Sequence, residues 1–237
     1  MAPIVEIRGL TKVYRRGNVE VTPLQETDLT VAEGEFLCLM GPSGSGKTTL
    51  LNIVAGVDEP TAGEVTVAGE RLDRLPDDRL SRWRTRNIGY IFQSFNLVPV
   101  LTAQENVELP LMLLPLDRER RRRQAETALK AAGIEHRGEH FPRQLSGGQE
   151  QRVAIARAIA ADPRIIVADE PTGDLAAASE KEIMELLATL HRDFGKTIIM
   201  VTHDPEAASY AGRTLHLSKG VLEEQAAAAA GPKKEGE

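Results

Sequence analysis

Residues 41–49 read GPSGSGKTT, directly after the apolar run FLCLM. Gly41, Gly46, Lys47 and Thr48 meet the pattern G-x-x-x-x-G-K-S/T, with Pro42, Ser43, Gly44, Ser45 and Thr49 filling and extending it. Each residue type has a task in this order. Glycine lets the backbone curl until successive N–H groups face one anion. A helix opening near Lys47 adds the partial positive charge of its N-terminus. The Lys47 ammonium then reaches the β- and γ-phosphates of a nucleotide, and the Thr48 hydroxyl is a ligand for Mg2+. The stretch precedes TTLLNIVAG, a good helix, so it has the strand-loop-helix context that a phosphate loop needs. Such a loop fixes nucleotide binding but does not separate kinases, GTPases and motor ATPases. No NKxD-type guanine reader accompanies it, which weakens the GTPase reading.

A second set of residues lies far downstream. IIVADE (165–170) ends an apolar strand with two acids. Placed beside the loop, Asp169 would hold Mg2+ through water, and Glu170 would point toward the γ-phosphate and polarise a water. LSGGQEQRVAIARAIA (145–160) places Ser146, Gly147 and Gly148 at the start of a long helix whose first N–H groups are free, a second anion site. A single ATP site does not need two such helix starts, so the second is expected to serve another copy of the chain.

These residues need a scaffold that brings them together. FLCLM (36–40), IIVA (165–168) and TIIMV (197–201) are continuous apolar runs, with IGYIF (88–92) as a fourth. Continuous runs of this kind fit parallel strands buried on both faces. Residues 4–31 and 64–70 read as short extended pieces rich in Val, Ile and Thr, forming an antiparallel sheet. Residues 101–161 are rich in Glu, Arg, Ala and Leu and read as a mainly helical insertion. Within it, DRERRRRQ (117–124) reads as a solvated helix face. The closing QAAAAAGPKKEGE is low-complexity and reads as a disordered tail.

With 237 residues, 41% apolar and 27% charged, the chain has the makeup of a soluble globular protein of one large or two small domains. A formal net charge of −6 argues against a nucleic-acid partner. Cys38, the one cysteine, sits in an apolar run and reads as a buried small hydrophobe. MAPIVEIRGL lacks the apolar core of a secretory signal, and LPLMLLPL (109–116) is too short to span a bilayer. The chain is expected to be cytoplasmic, with any membrane anchor supplied by a partner.

GPSGSGKT, LSGGQ, VADEP, the Gln of FQS (Gln93) and the His of THD (His203) stand in the order found in ABC transporter ATPase subunits, and the chain resembles that family from residue 4 to about 224. LNIVAGVDEPTAGEV, IGYIFQSFNLVPVLTAQENVELPL and DEPTGDL resemble the group that serves lipoprotein release, macrolide export and related mechanical export systems. The resemblance implies an α/β fold: a P-loop NTPase core with a parallel sheet, an N-terminal antiparallel β-subdomain and an inserted helical subdomain. The ATPase domain would cover 1–224, with the helical subdomain at about 95–161 and the tail at 225–237. It further implies a homodimer that sandwiches two ATP molecules with Mg2+. Each ATP would sit on one chain's loop and be covered by Ser146, Gly147, Gly148 and Gln149 of the other. Tyr14 matches the aromatic that stacks on adenine. Gln93 matches the residue that senses Mg2+ and faces the membrane partner. His203 matches the switch that touches the γ-phosphate. The implied function is ATP hydrolysis that drives a separate membrane permease, with this subunit held at the inner face of the membrane through that permease. A soluble ABC ATPase, or a regulatory ATP-binding module not coupled to transport, is the alternative. One departure stands out. Where the family closes the loop after DEPTG with Leu-Asp, this chain has Leu175 and Ala176, which bears on the contact between subunits.

Overall fold

The computed structural model describes residues 3–17 and 19–224; the expected disordered tail at 225–237 lies outside the described residues. Where the sequence reads as several short extended pieces, the chain opens with two long strands, β1 (Pro3–Arg16) and β2 (Val19–Ala32). They stay long because bulges absorb the register. In β2, Leu24, Thr27, Leu29 and Val31 face the core, and the odd spacing between Leu24 and Thr27 coincides with Glu26 at φ 48°. Without that extra residue every later side chain would turn to the opposite face.

The chain continues through β3 (Phe36–Met40), α1 (Lys47–Val54), β4 (Ala62–Val67), β5 (Glu70–Arg71), α2 (Asp77–Asn87) and β6 (Ile88–Ile91). Residues 92–102 are irregular, so the helical passage begins at Ala103 with α3 (Ala103–Glu108), α4 (Arg118–Ala131) and α5 (Gly147–Ile159). The remainder is β7 (Ile165–Asp169), α6 (Ala177–Phe194), β8 (Thr197–Val201), α7 (Pro205–Ala208), β9 (Arg213–Ser218) and β10 (Val221–Glu224). One sheet has four strands in the order β2-β1-β4-β5; the other has six in the order β10-β9-β3-β8-β7-β6. The first is antiparallel, and the second is parallel except for its β10 edge.

The continuous apolar runs now have a physical reason. Alternate residues point to opposite faces of a strand. Leu37, Leu39, Val167, Ile199 and Val201 pack on the side of α1 with Leu50, Leu51 and Val54. Phe36, Cys38, Ile166, Ile198 and Met200 pack on the side of α6, whose stripe is Ile183, Met184, Leu187 and Leu190. Cys38 is fully buried, and burial pushes its thiol up to about 12. A third cluster holds α3, α4 and α5 together through Val107, Leu111, Ala125, Leu129, Val153 and Ala156. Most of the arginine run lies on a solvated face of α4, where Arg122 and Arg123 pair with Glu126 and Glu119 one turn away, but Arg121 turns toward Glu108 of α3 and Gln124 donates to the Ala160 carbonyl. Among the described residues no helix is long and apolar enough to cross a membrane.

Candidate active site

Strand order decides what meets at the site. β3, β8 and β7 are neighbours and run parallel, so their C-terminal ends lie along one edge of the sheet. Residues 41–49 follow β3, Asp169 and Glu170 sit at the end of β7, and His203 follows β8. In open parallel sheets this edge is where ligands bind.

Two glycines of the phosphate loop, Gly41 and Gly46, cannot be replaced by another residue without movement. Gly46 is the N-cap of α1 at φ 101°, and a Cβ there would lie 2.5 Å from the Pro23 carbonyl oxygen. Gly41 has φ 146°, and a Cβ there would lie 2.2 Å from the Leu217 carbonyl oxygen. The first turn of α1 carries no acid and no side-chain cap, so its N–H groups remain available to an anion. Lys47 Nζ donates to the carbonyls of Gly41 (2.8 Å) and Pro42 (2.9 Å). Ser45 differs from its neighbours. It is buried, and its N–H closes a turn onto the Pro42 carbonyl at 3.2 Å.

A cavity of about 740 Å³ opens over this loop. The other loop residues, Gly41, Pro42, Ser43, Gly44, Gly46, Lys47, Thr48 and Thr49, line it together with Tyr14, Gln93, Asp169, Glu170 and His203. Val21, Pro23 and Val201, which carry no polar side-chain group and match no motif, complete its wall. Thr48 Oγ1 donates to Asp169 Oδ1 at 3.2 Å. Burial pushes the Asp169 carboxyl above its ordinary value. Glu170 is held at φ 48°, a left-handed conformation that costs a non-glycine residue about 1–3 kcal/mol. Its N–H donates to the Val201 carbonyl, and its carboxylate meets His203 Nδ1 at 2.9 and 3.0 Å. An ionised carboxylate only accepts, so Nδ1 carries the proton here. That hydrogen bond raises the His203 pKa above its ordinary value. Gln93 Nε2 reaches Asp174 Oδ1 at 3.4 Å, beside Gly173. Tyr14 is 43% exposed, and its hydroxyl donates to Asp58 Oδ2.

Ser146, Gly147, Gly148 and Gln149 are absent from the cavity lining. The expectation that the first N–H groups of this helix are all free needs correction. Ser146 and Gln149 form a reciprocal capping box, with Gln149 N–H donating to Ser146 Oγ and Ser146 N–H to Gln149 Oε1. Only the Gly147 and Gly148 N–H groups lack a partner in that turn. Gly148 also answers a packing demand, since a Cβ there would lie 2.8 Å from Ser179 Oγ of α6. Ala176 is the N-cap of α6, and it supplies no side-chain hydrogen bond.

Two supporting residues lie within the 145–160 stretch, but nothing in its residue order points to their partners. Gln151, fully buried, donates to the Pro171 carbonyl just beyond Glu170. Arg157 donates to the carbonyls of Phe95 and Asn96, in the irregular stretch that follows Gln93. Both tie α5 to segments that bear site residues.

The family model described as ABC transporter matches residues 24–173. The ABC transporter ATP-binding protein MJ0796 of Methanocaldococcus jannaschii is 46% identical over 226 residues, covering 94% of this chain and 96% of that protein. The lipoprotein-releasing system ATP-binding protein LolD of Geobacter metallireducens is 44% identical over 220 residues, covering 93% and 98%. The macrolide export ATP-binding/permease protein MacB of Marinobacter nauticus is 43% identical over 226 residues, which is 95% of this chain but 35% of MacB. Among solved structures, the dimeric post-hydrolysis state of the MJ0796 cassette bound to ADP and Pi aligns with a TM-score of 0.86 at 46% identity, covering 93% of this chain and 97% of that one.

Proposed function

The chain belongs to the ABC transporter family as an ATP-binding, ATP-hydrolysing subunit, and on that premise we propose how its residues divide the work. Two copies close head to tail over two ATP molecules and drive a separate membrane permease that exports a substrate or extracts a lipoprotein. The permease holds the subunit at the inner face of the membrane. The helical passage inserted between β6 and β7 belongs to the same nucleotide-binding unit.

The supporting observation is the split between the two anion sites. The phosphate loop, Asp169, Glu170 and His203 share one cavity, while the Ser146 turn lies outside it. The N–H groups of Gly147 and Gly148 then serve ATP bound to the other copy. Lys47 and the first turn of α1 hold the phosphates. Glu170 takes a proton from the water that attacks the γ-phosphorus, the bond to the ADP oxygen breaks as phosphate is released, and the His203 N–H holds the Glu170 carboxylate in place. Among the described residues no group of three His, Cys, Asp or Glu is placed to hold a metal. The donors at hand are the Thr48 hydroxyl, the Asp169 carboxylate and the Gln93 amide oxygen. Such a sparse all-oxygen set fits Mg2+, which takes its remaining ligands from water and phosphate. When bound, Mg2+ neutralises charge on the phosphate oxygens.

The test is Glu170→Gln. Turnover should fall by about 10²–10⁴-fold, as expected for loss of a positioned base. ATP binding should persist, and size-exclusion chromatography with Mg-ATP should show a stable dimer. A monomeric variant with normal turnover rules the assignment out.

A further inference from the structure

Lys12 and Tyr14 lie two residues apart on β1, and both reach one carboxylate on another segment. That carboxylate is Asp58, in the turn that follows α1. The N–H groups of Val57 and Asp58 both donate to the Asn52 carbonyl, at 2.8 and 3.2 Å, which folds the turn back on the helix. Asp58 Oδ2 accepts from the Tyr14 hydroxyl at 2.5 Å, and Oδ1 accepts from Lys12 Nζ at 2.6 Å. Lys12 Nζ donates again to the Glu59 carbonyl at 2.7 Å and stands 4.8 Å from the Tyr14 ring centroid. The Lys12 side chain is 12% exposed and that of Asp58 27%, so this pair is far better shielded than the ordinary surface ion pairs of the molecule. Burial pushes the Asp58 carboxyl up, yet the hydrogen bonds from Lys12 and Tyr14 outweigh it and leave the group below its ordinary value. Tyr14 meanwhile stays protonated, because burial and Asp58 both raise its pKa.

The ring that this cluster holds lines the nucleotide cavity, but nothing packs it fully: it is 43% exposed. A half-exposed aromatic pays an ordering cost each time a ligand stacks on it. Tying its hydroxyl to a fixed carboxylate removes that cost beforehand. We propose that Asp58, itself fixed by Lys12, is a positioning residue that holds the Tyr14 ring in place for the base of the nucleotide. It acts only through Tyr14, and it joins that ring to the C-terminal end of α1, whose N-terminal end holds the phosphates. The proposal rests on the assignment of Tyr14 to the adenine seat.

The test compares ATP with inorganic tripolyphosphate, which has the phosphates but no base, by isothermal titration of the full chain. Tyr14→Phe keeps the ring and removes its tether; Asp58→Asn keeps the shape and removes the charge. Each should weaken ATP binding by about 3- to 10-fold, the factor expected from freeing one side chain. The double variant should lose no more than the larger single loss, because both changes cut the same link. Tripolyphosphate affinity should be unchanged throughout. If Tyr14→Ala weakens ATP binding while Tyr14→Phe and Asp58→Asn leave it within error, the ring seats the base but Asp58 does not position it. If Tyr14→Ala also leaves ATP affinity unchanged, the adenine seat itself is wrong and the proposal falls with it. Equal losses for ATP and tripolyphosphate in Asp58→Asn would mark a general effect on α1 and overturn the positioning role.

Discussion

His203 Nδ1 lies 2.9 Å from Oε2 and 3.0 Å from Oε1 of Glu170, so the proposed base and the proposed switch form one hydrogen-bonded unit. The contact raises the pKa of His203 above about 6.5. NMR titration of the free protein should therefore find His203 charged above the usual histidine range, and Glu170→Gln should bring its midpoint back down. The sign for stability follows. A raised folded pKa gives stabilisation that is complete below about 6.5 and is lost as pH rises through the folded value. His203 is largely exposed, so the titration is the sensitive measurement rather than the melting temperature. An unshifted His203 midpoint in both proteins would show that the pair does not form in solution.

Complementation between two dead variants tests the shared site. Lys47→Ala removes the full positive charge proposed to meet the phosphates, and Ser146→Arg obstructs the turn proposed to cover the other copy's ATP. Each variant alone should hydrolyse little. A mixed dimer holds one site with both defects and one with neither, so mixing should restore part of the activity. Ser146→Arg also removes the capping hydroxyl, worth about 1 kcal/mol, so its fold should be checked by circular dichroism. No recovery at any ratio, with mixed dimers demonstrated, would count against a site built from two copies.

Ala176→Asp should act twice. Ala176 holds the N-cap of α6 at φ −75° and ψ 147°, a geometry in which an aspartate accepts from the first turn. The added cap is worth about 1 kcal/mol, or roughly 2–4 °C in Tm for a chain of this size. That gain should appear without nucleotide. With the permease present, the rate or the Hill coefficient of hydrolysis should also rise, because an acceptor returns to the proposed dimer seam. A higher Tm with unchanged kinetics would confine the residue to helix capping.

Gly46→Ala should abolish nucleotide binding and cost about 1–3 kcal/mol in urea unfolding, since φ 101° is strained for alanine and the new methyl meets the Pro23 carbonyl. Gly44→Ala is the control. Its φ is 76°, but nothing lies within 4 Å of the added carbon, so it should lose less stability. Equal losses at both positions would mean that the contact with Pro23 does not matter.

The parts of the site that follow one another in sequence were legible. Lys47 and Thr48 sit in a dense local pattern, and Asp169 and Glu170 end an apolar run. Each signal comes from the residue order itself. The roles of Asp58, Gln151 and Arg157 were not legible: all three fall inside quoted stretches, but each acts on a partner far away in sequence that the residue order does not reveal. The central strands were legible because burial on both faces leaves unbroken apolar runs. β9 lacks such a run for the opposite reason. Its RTLHLS buries only Leu215 and Leu217, and β10 lies at the edge of the sheet. The length of β1 and β2 was hidden by bulges, which break the two-residue period that would have marked each as one strand.

Cys38 has no accessible surface, and its thiol is pushed up to about 12. Only the thiolate attacks maleimides or disulfide reagents, so this sulfur is chemically silent near neutral pH. As the chain holds one cysteine, the folded protein should consume almost none of a thiol reagent and the denatured protein one equivalent. A cysteine introduced at Ser146 or Ser43 would then be the sole reactive address in the molecule. Fluorescent labelling or cross-linking of facing copies can start from the native sequence, without first engineering a cysteine-free background.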